Sequence, residues 1–143
     1  MEVTVLDWLE KTVNRIPEKI AFIDEQSQIS FKELYQMAST IGSALLDRVK
    51  LRTPVIVMTG RQVLTPACFL GVVMSGGFYA PMDATMPIPR LMQILKVIEA
   101  DVMIVDKEHL EIANQLGFTG EILVLEELVK KKKIDTDKLR EIR

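Results

Sequence analysis

The sequence holds one cysteine, Cys68, and one histidine, His109. A lone cysteine excludes an internal disulfide and any cysteine-built metal site, and it makes a reducing cytoplasm the expected compartment. No second histidine accompanies His109, so no zinc-type ligand set can be assembled and no metal residue is assigned. Glycine and proline are sparse, seven and six in 143 residues, which excludes a collagenous or low-complexity chain. Neither charge sign dominates, with 18 Lys and Arg against 20 Asp and Glu. Without a basic stripe there is no footprint for nucleic acid, and no such partner is expected. Long apolar runs are missing as well. The longest, Pro66 to Met74, falls well short of the about 20 residues that cross a bilayer, so it reads as a buried helix and no membrane partner is expected. Glu2, Asp7, Glu10 and Lys11 interrupt any apolar core at the amino end, so no secretory leader is expected there.

What is present is an apolar chain, 48% hydrophobic with a mean hydropathy of +0.19. In a domain this small such an excess suggests surface that something else normally covers. Helix and strand patterns alternate along it. Val5, Trp8, Leu9, Val13 and Ile16 carry helical spacing, closed by Pro17. Lys19 to Asp24 reads as a strand, followed by a turn and the short Ile29-Ser30. Ser30 and Glu33 form a capping-box pattern opening a helix that buries Leu34, Met37, Ala38, Ile41, Ala44 and Leu45. Pro54 to Met58 is a continuous apolar run, the mark of a strand covered on both faces. Leu64 to Ser75 predicts a helix that is apolar nearly all round and therefore sandwiched, with Pro66 tolerated in its first turn. Phe78 to Pro81 predicts the next strand. Pro87 or Pro89 opens a helix with Leu91, Met92, Ile94, Leu95 and Ile98 facing inward. Val102 to Val105, a helix from Glu108 to Leu116, and a strand from Glu121 to Leu125 complete the pattern. The expected fold class is α/β, a mostly parallel sheet flanked by helices on both faces. Residues 1–128 are expected to form the subdomain and 129–143 a charged tail.

Few residues carry chemistry. Gly76-Gly77 follows a helix and precedes a strand, the reverse of a phosphate loop, so it reads as a helix C-cap. Arg61 sits where a strand gives way to a helix and could meet an anion, although an arginine closing a turn or a domain contact fits the same position. His109 is expected on the exposed first turn of a helix, without the cleft and partners a general base needs. Cys68 reads as a small core residue, and Lys130 to Lys133 as part of a solvated tail. No serine elbow, Walker-type loop or Mg²⁺-binding carboxylate cluster appears, so no catalytic or cofactor-binding residue is assigned.

Two stretches carry a family likeness. Ile29-Ser30-Phe31-Lys32-Glu33-Leu34 resembles Leu-Thr-Tyr-x-Glu-Leu, the first core motif of the adenylate-forming (AMP-binding) enzymes. Val73-Met74-Ser75-Gly76-Gly77-Phe78-Tyr79-Ala80-Pro81-Met82-Asp83 is similar to that family's Leu-Lys-Ala-Gly-x-Ala-Tyr-Val-Pro-Leu-Asp, and Asp83, Pro87 and Arg90 fit its Asp-Pro-x-x-Pro-x-x-Arg spacing. Met74, Ser75 and Ala84 stand where the family has lysine, alanine and proline. The likeness runs from Leu6 to about Leu128 and favours the amino-acid adenylation domains of non-ribosomal peptide synthetases and the D-alanine–carrier-protein ligases.

The resemblance implies an N-terminal structural subdomain of an ATP-dependent ligase. Such an enzyme uses ATP and Mg²⁺ to adenylate an amino acid and loads it onto a carrier-protein thiol. Glu33, Tyr79, Asp83 and Arg90 would then be scaffold residues. The family's Thr-Ser-Gly-rich phosphate loop, its adenine and ribose motifs and its catalytic lysine are not in the sequence, so the chain alone is expected to be inactive. Its expected partners are the remainder of its own enzyme and, through that, a carrier protein, with self-association through exposed apolar surface. The alternative is a free-standing, non-catalytic module that binds a partner or itself through that face. A flavodoxin-like nucleotide-binding protein would need a glycine-rich strand-to-helix loop, which the sequence lacks.

Overall fold

The computed structural model describes residues 4–60, 62–130 and 134–142. Two reciprocal capping boxes launch the first helices. In α1 (Val5–Arg15) Thr4 and Asp7 exchange side-chain-to-backbone bonds. In α2 (Phe31–Leu45) Ser30 and Glu33 do the same at 3.1 and 3.2 Å. Between them β1 (Ile20–Ile23) and β2 (Gln28–Ser30) make a separate antiparallel ribbon.

Strands β3 (Pro54–Met58), β4 (Phe78–Pro81), β5 (Val102–Val105) and β6 (Glu121–Val124) form one parallel sheet in the order β4-β3-β5-β6. They alternate with α3 (Leu64–Met74), α4 (Ile88–Val97) and α5 (Leu110–Gln115). The period-2 pleat splits the apolar strand runs between two cores. Val55, Val57, Val102 and Ile104 pack with α2 and α3 on one face. Ile56, Met58, Met103 and Val105 pack with Leu91 of α4 and Ala113 of α5 on the other. This is the α/β architecture, with a parallel sheet between helices, that the strand runs implied.

Helix α3 is sandwiched as its composition required. Ala67, Cys68, Gly71, Val72 and Met74 are buried, and burial pushes the Cys68 thiol up to about 12, which leaves it no thiolate for chemistry at neutral pH. The helix ends in a Schellman motif. Gly76, at φ +95°, donates to Val73 and Gly77 donates to Val72, at 3.1 and 3.2 Å.

Three expectations are corrected. Helix α1 turns Leu6 into the core, while Val5 and Trp8 are 60% and 67% exposed. The reason is that α1 packs chiefly on α2, so only a narrow stripe is covered. Met92 points outward from α4 rather than inward. The last strand stops at Val124, and Leu125, expected to end it, opens α6 (Leu125–Leu128), which buries Leu125 and Leu128; further on, α7 (Thr136–Ile142) buries Leu139 against α2. Asp135 anchors that return by donating its N–H to Ser43 Oγ at 2.9 Å. Lys130 pairs with Glu127 at 3.6 Å, and Lys131 to Lys133 lie outside the described residues.

Candidate functional site

The connections dictate where a site belongs. From β3 the chain runs through α3 to β4 on one side, and from β5 it runs through α5 to β6 on the other. The loops leaving β3 and β5 therefore diverge, which opens a crevice at the carboxyl ends of these neighbours, the usual ligand position in such sheets. A cleft of about 810 Å³ lies there. Its walls come from the end of β1 and the turn after it (Phe22 to Gln26), the β3 loop and start of α3 (Thr59, Gly60, Gln62, Val63, Thr65, Pro66), and Asp106, Glu108 and Glu126 beyond β5 and β6.

Asp106 is the hub. It follows the last residue of β5, its side chain is 2% exposed, and it accepts from both sides of the crevice. Oδ2 accepts the Gly60 N–H at 2.7 Å and Gln62 Nε2 at 3.2 Å. Oδ1 accepts the His109 N–H at 3.1 Å, as the cap of the short 3₁₀ turn Lys107–His109, and also contacts His109 Nδ1. Thr65 Oγ1 donates to Gly60 O at 2.7 Å and completes the β3 loop.

Asp24 braces the same loop from the ribbon. One oxygen accepts the N–H groups of Gln26 and Ser27 at 2.8 and 2.7 Å, and the other accepts Val63 N–H at 3.0 Å. These donors, Gln26 first, hold its carboxyl below the usual value of 3.8. A carboxyl depressed in the folded state stabilises the fold fully above its unfolded value, and that contribution is lost as pH falls through the folded one. The difference in unfolding midpoint between the native chain and Asp24→Asn is therefore expected to be constant above about pH 5 and to shrink below about pH 4. A pH series of urea unfolding checks it, and a difference that persists unchanged to pH 2 would contradict the brace.

His109 was expected exposed and without partners. Its side chain is only 17% exposed and it is seated on Asp106 beside the cleft. The Asp-x-x-His spacing across a helix start was the available sequence signal. Asp106, Glu108 and His109 place ligand atoms within 4.8 Å of one another, the one such group among the described residues. Asp106 already accepts four hydrogen bonds, so a cation there would have to displace one of them. The arrangement fits a brace better than a Mg²⁺ site.

The scaffold residues lie elsewhere. Glu33 caps α2. Tyr79 stacks on Phe69, with ring centroids 4.4 Å apart. Asp83 accepts from Thr85 N and Oγ1 at 2.9 and 2.6 Å, and Arg90 is exposed on the first turn of α4. Arg61 lies outside the described residues. The cleft carries five carboxylates, Asp24, Glu25, Asp106, Glu108 and Glu126, with no Lys or Arg among its described lining residues. The described lining residues are therefore net negative. Among the described residues no helix is long and apolar enough to cross a membrane.

Comparison with known proteins gives a consistent result. Residues 9–141 match the family model described as AMP-binding enzyme. The chain is 28% identical to tyrocidine synthase 1 of Brevibacillus parabrevis over 119 residues, covering 82% of this chain and 11% of that protein. It is 32% identical to the D-alanine–D-alanyl carrier protein ligase of Listeria monocytogenes over 115 residues, covering 79% of this chain and 21% of that one. The fold superposes on the N-terminal subdomain of Klebsiella oxytoca NpsA, solved in complex with 3-hydroxyanthranilyl-AMSN. There the TM-score is 0.78 at 18% identity, with 92% of this chain and 33% of that chain covered. The chain thus spans about a fifth or less of these two curated relatives and a third of that subdomain.

Proposed function

The chain belongs to the AMP-binding enzyme family, and on that premise we propose that it is the N-terminal structural subdomain of an ATP-dependent amino-acid adenylating ligase that loads a carrier-protein thiol. Its own contribution is architectural. It supplies a parallel sheet, the close-packed pair α2 and α3, and a braced crevice on which the nucleotide-handling part of the enzyme is built. The carboxylate-lined cleft carries this reading, because adenylation needs groups that neutralise phosphate charge. The described lining residues supply the opposite sign. They do not fit the phosphates of ATP, and Asp106 is committed to the N–H groups that it accepts, so the nucleotide and its Mg²⁺ are assigned to the rest of the enzyme, as is recognition of the carrier protein.

Titration calorimetry tests this. The 143-residue chain is expected to bind Mg·ATP more weakly than about 1 mM, and tighter binding would mean that a nucleotide site lies within it. The second reading, a non-catalytic module that binds a partner or itself, draws on exposed Phe78 and Tyr79. Mixing the chain with the remainder of an adenylation domain separates the two readings: the first expects a complex between them, and a chain that pairs only with itself supports the second.

A further inference from the structure

A second, smaller cavity of about 150 Å³ lies within the helical layer, and it shares no lining residue with the acidic crevice. Tyr35 and Ser39 of α2, Met74 of α3 and Leu139 of α7 form its walls. Glu10 of α1 and Arg140 of α7 line it as well. The described lining thus carries one charge of each sign, and no net charge selects what enters.

Ser39 is the unusual member, being polar and only 5% exposed. A hydroxyl on a helix commonly donates to the carbonyl four residues back, and the adjacent Thr40 does so, to Gln36 O at 2.9 Å. Ser39 instead donates to Met74 Sδ at 3.9 Å, its one hydrogen bond among the described residues. A thioether sulfur is a weak acceptor, so this buried hydroxyl recovers little of what it loses on leaving water. The other polar groups of the walls are better served, since Tyr35 O–H donates to Glu10 Oε1 at 2.9 Å. The remaining surface is apolar and adaptable, because the unbranched side chain of Met74 reshapes easily around a guest. A cavity of about 150 Å³ accepts a ring of benzene's size.

We propose that this cavity binds a small neutral hydroxyaromatic molecule, with its ring between Met74, Leu139 and Tyr35 and its hydroxyl bonded to Ser39 Oγ. The site stands independently of the ligase reading. Its occupant touches α2, α3 and α7 at once. The described ties of α7 include buried Leu139, the Asp135 N–H on Ser43 Oγ and Lys138 paired with Asp47 at 3.6 Å, the last two in exposed positions. Occupancy therefore fastens α7, the last described element, onto the helices beneath it.

Phenol and toluene are the probes, titrated into the 143-residue chain and followed by NMR at the Met74 and Leu139 methyl groups. Phenol is expected to shift both signals saturably, with a Kd on the order of 1 mM. Toluene, which lacks the hydroxyl, is expected to bind about fivefold more weakly. Ser39→Ala, a mild change inside a helix, brings phenol to the level of toluene. The N–H of Leu139, which donates to Asp135 O, reports on α7. At phenol about ten times its Kd, hydrogen exchange at that N–H slows roughly tenfold, because α7 then opens only after the ligand leaves. No saturable shift up to about 20 mM phenol, or equal binding of phenol and toluene, overturns the site. Phenol affinity unchanged by Ser39→Ala overturns it too. Saturation that leaves Leu139 exchange unaltered overturns the fastening of α7.

Discussion

Replacing Asp106 by alanine is expected to lower the unfolding free energy by about 3 kcal/mol, the scale for breaking a buried, charge-assisted network. The carboxylate is buried, and its four hydrogen bonds reach Gly60 and Gln62 on the β3 loop and the backbone and ring of His109 on the β5 side. Truncation leaves those donors facing one another across the crevice without an acceptor. Asp106→Asn should cost less, because the amide oxygen keeps part of the set while its NH₂ opposes the remainder. Urea unfolding of both variants checks the order. An Asp106→Ala chain within about 0.5 kcal/mol of the native one would mean that water replaces the carboxylate without loss.

Gly71→Leu should be at least as severe, about 3 kcal/mol or more, because it overpacks the close contact between α2 and α3. A Cβ at Gly71 would lie 2.7 Å from Ile41 Cγ2 and 3.0 Å from the Ala38 carbonyl oxygen, and one at Gly42 would lie 3.0 Å from Met74 Cβ. The two glycines face each other across α2 and α3 and let those helices approach. A glycine inside a helix normally gains about 1 kcal/mol on replacement by a better helix former. Here the backbone oxygen of Ala38 and the branched Ile41 cannot both withdraw, so the steric term decides the sign. Thermal unfolding of Gly71→Ala and Gly71→Leu measures it, and stabilisation by either would show that the helices can separate freely.

Most of the fold was legible where side-chain periodicity reports burial directly. Pro54 to Met58 and Val102 to Val105 read as doubly covered strands because both of their faces are covered. Ser30 with Glu33 announced the start of α2 because both partners of the box are local. What depends on distant neighbours was harder to see. The buried stripe of α1 was read only in part, Leu9 packing on the core while Val5 and Trp8 are exposed, because these two are as apolar as Leu6 and only the position of α2 decides which of them is covered. The sparse apolar residues of α7, with Leu139 alone buried, gave too weak a period to stand out from the surrounding charge. The junction around Arg61 was legible as a place for a ligand, but the walls that face it were not, for a similar reason. Asp106 and Gly60 are 46 positions apart, and each is unremarkable alone. Asp24 reaches Val63 across 39 positions and gives no local sign of doing so. Together these long-range bonds turn a loop that reads as a plain connection into a braced wall.

The family assignment adds meaning to this division of labour. Structural matches below 25% identity establish the shared fold, and the matched segment is a small share of each curated relative. The proposed role, a chain that supports chemistry performed by another part of an enzyme, draws on the charge of the crevice.

The most direct test of that account is ATP–pyrophosphate exchange with a panel of amino acids, run on the 143-residue chain and on the same chain joined to the remainder of an adenylation domain. The account predicts exchange, with a defined amino-acid preference, from the joined protein and none from the chain alone. Exchange catalysed by the 143-residue chain itself would contradict it.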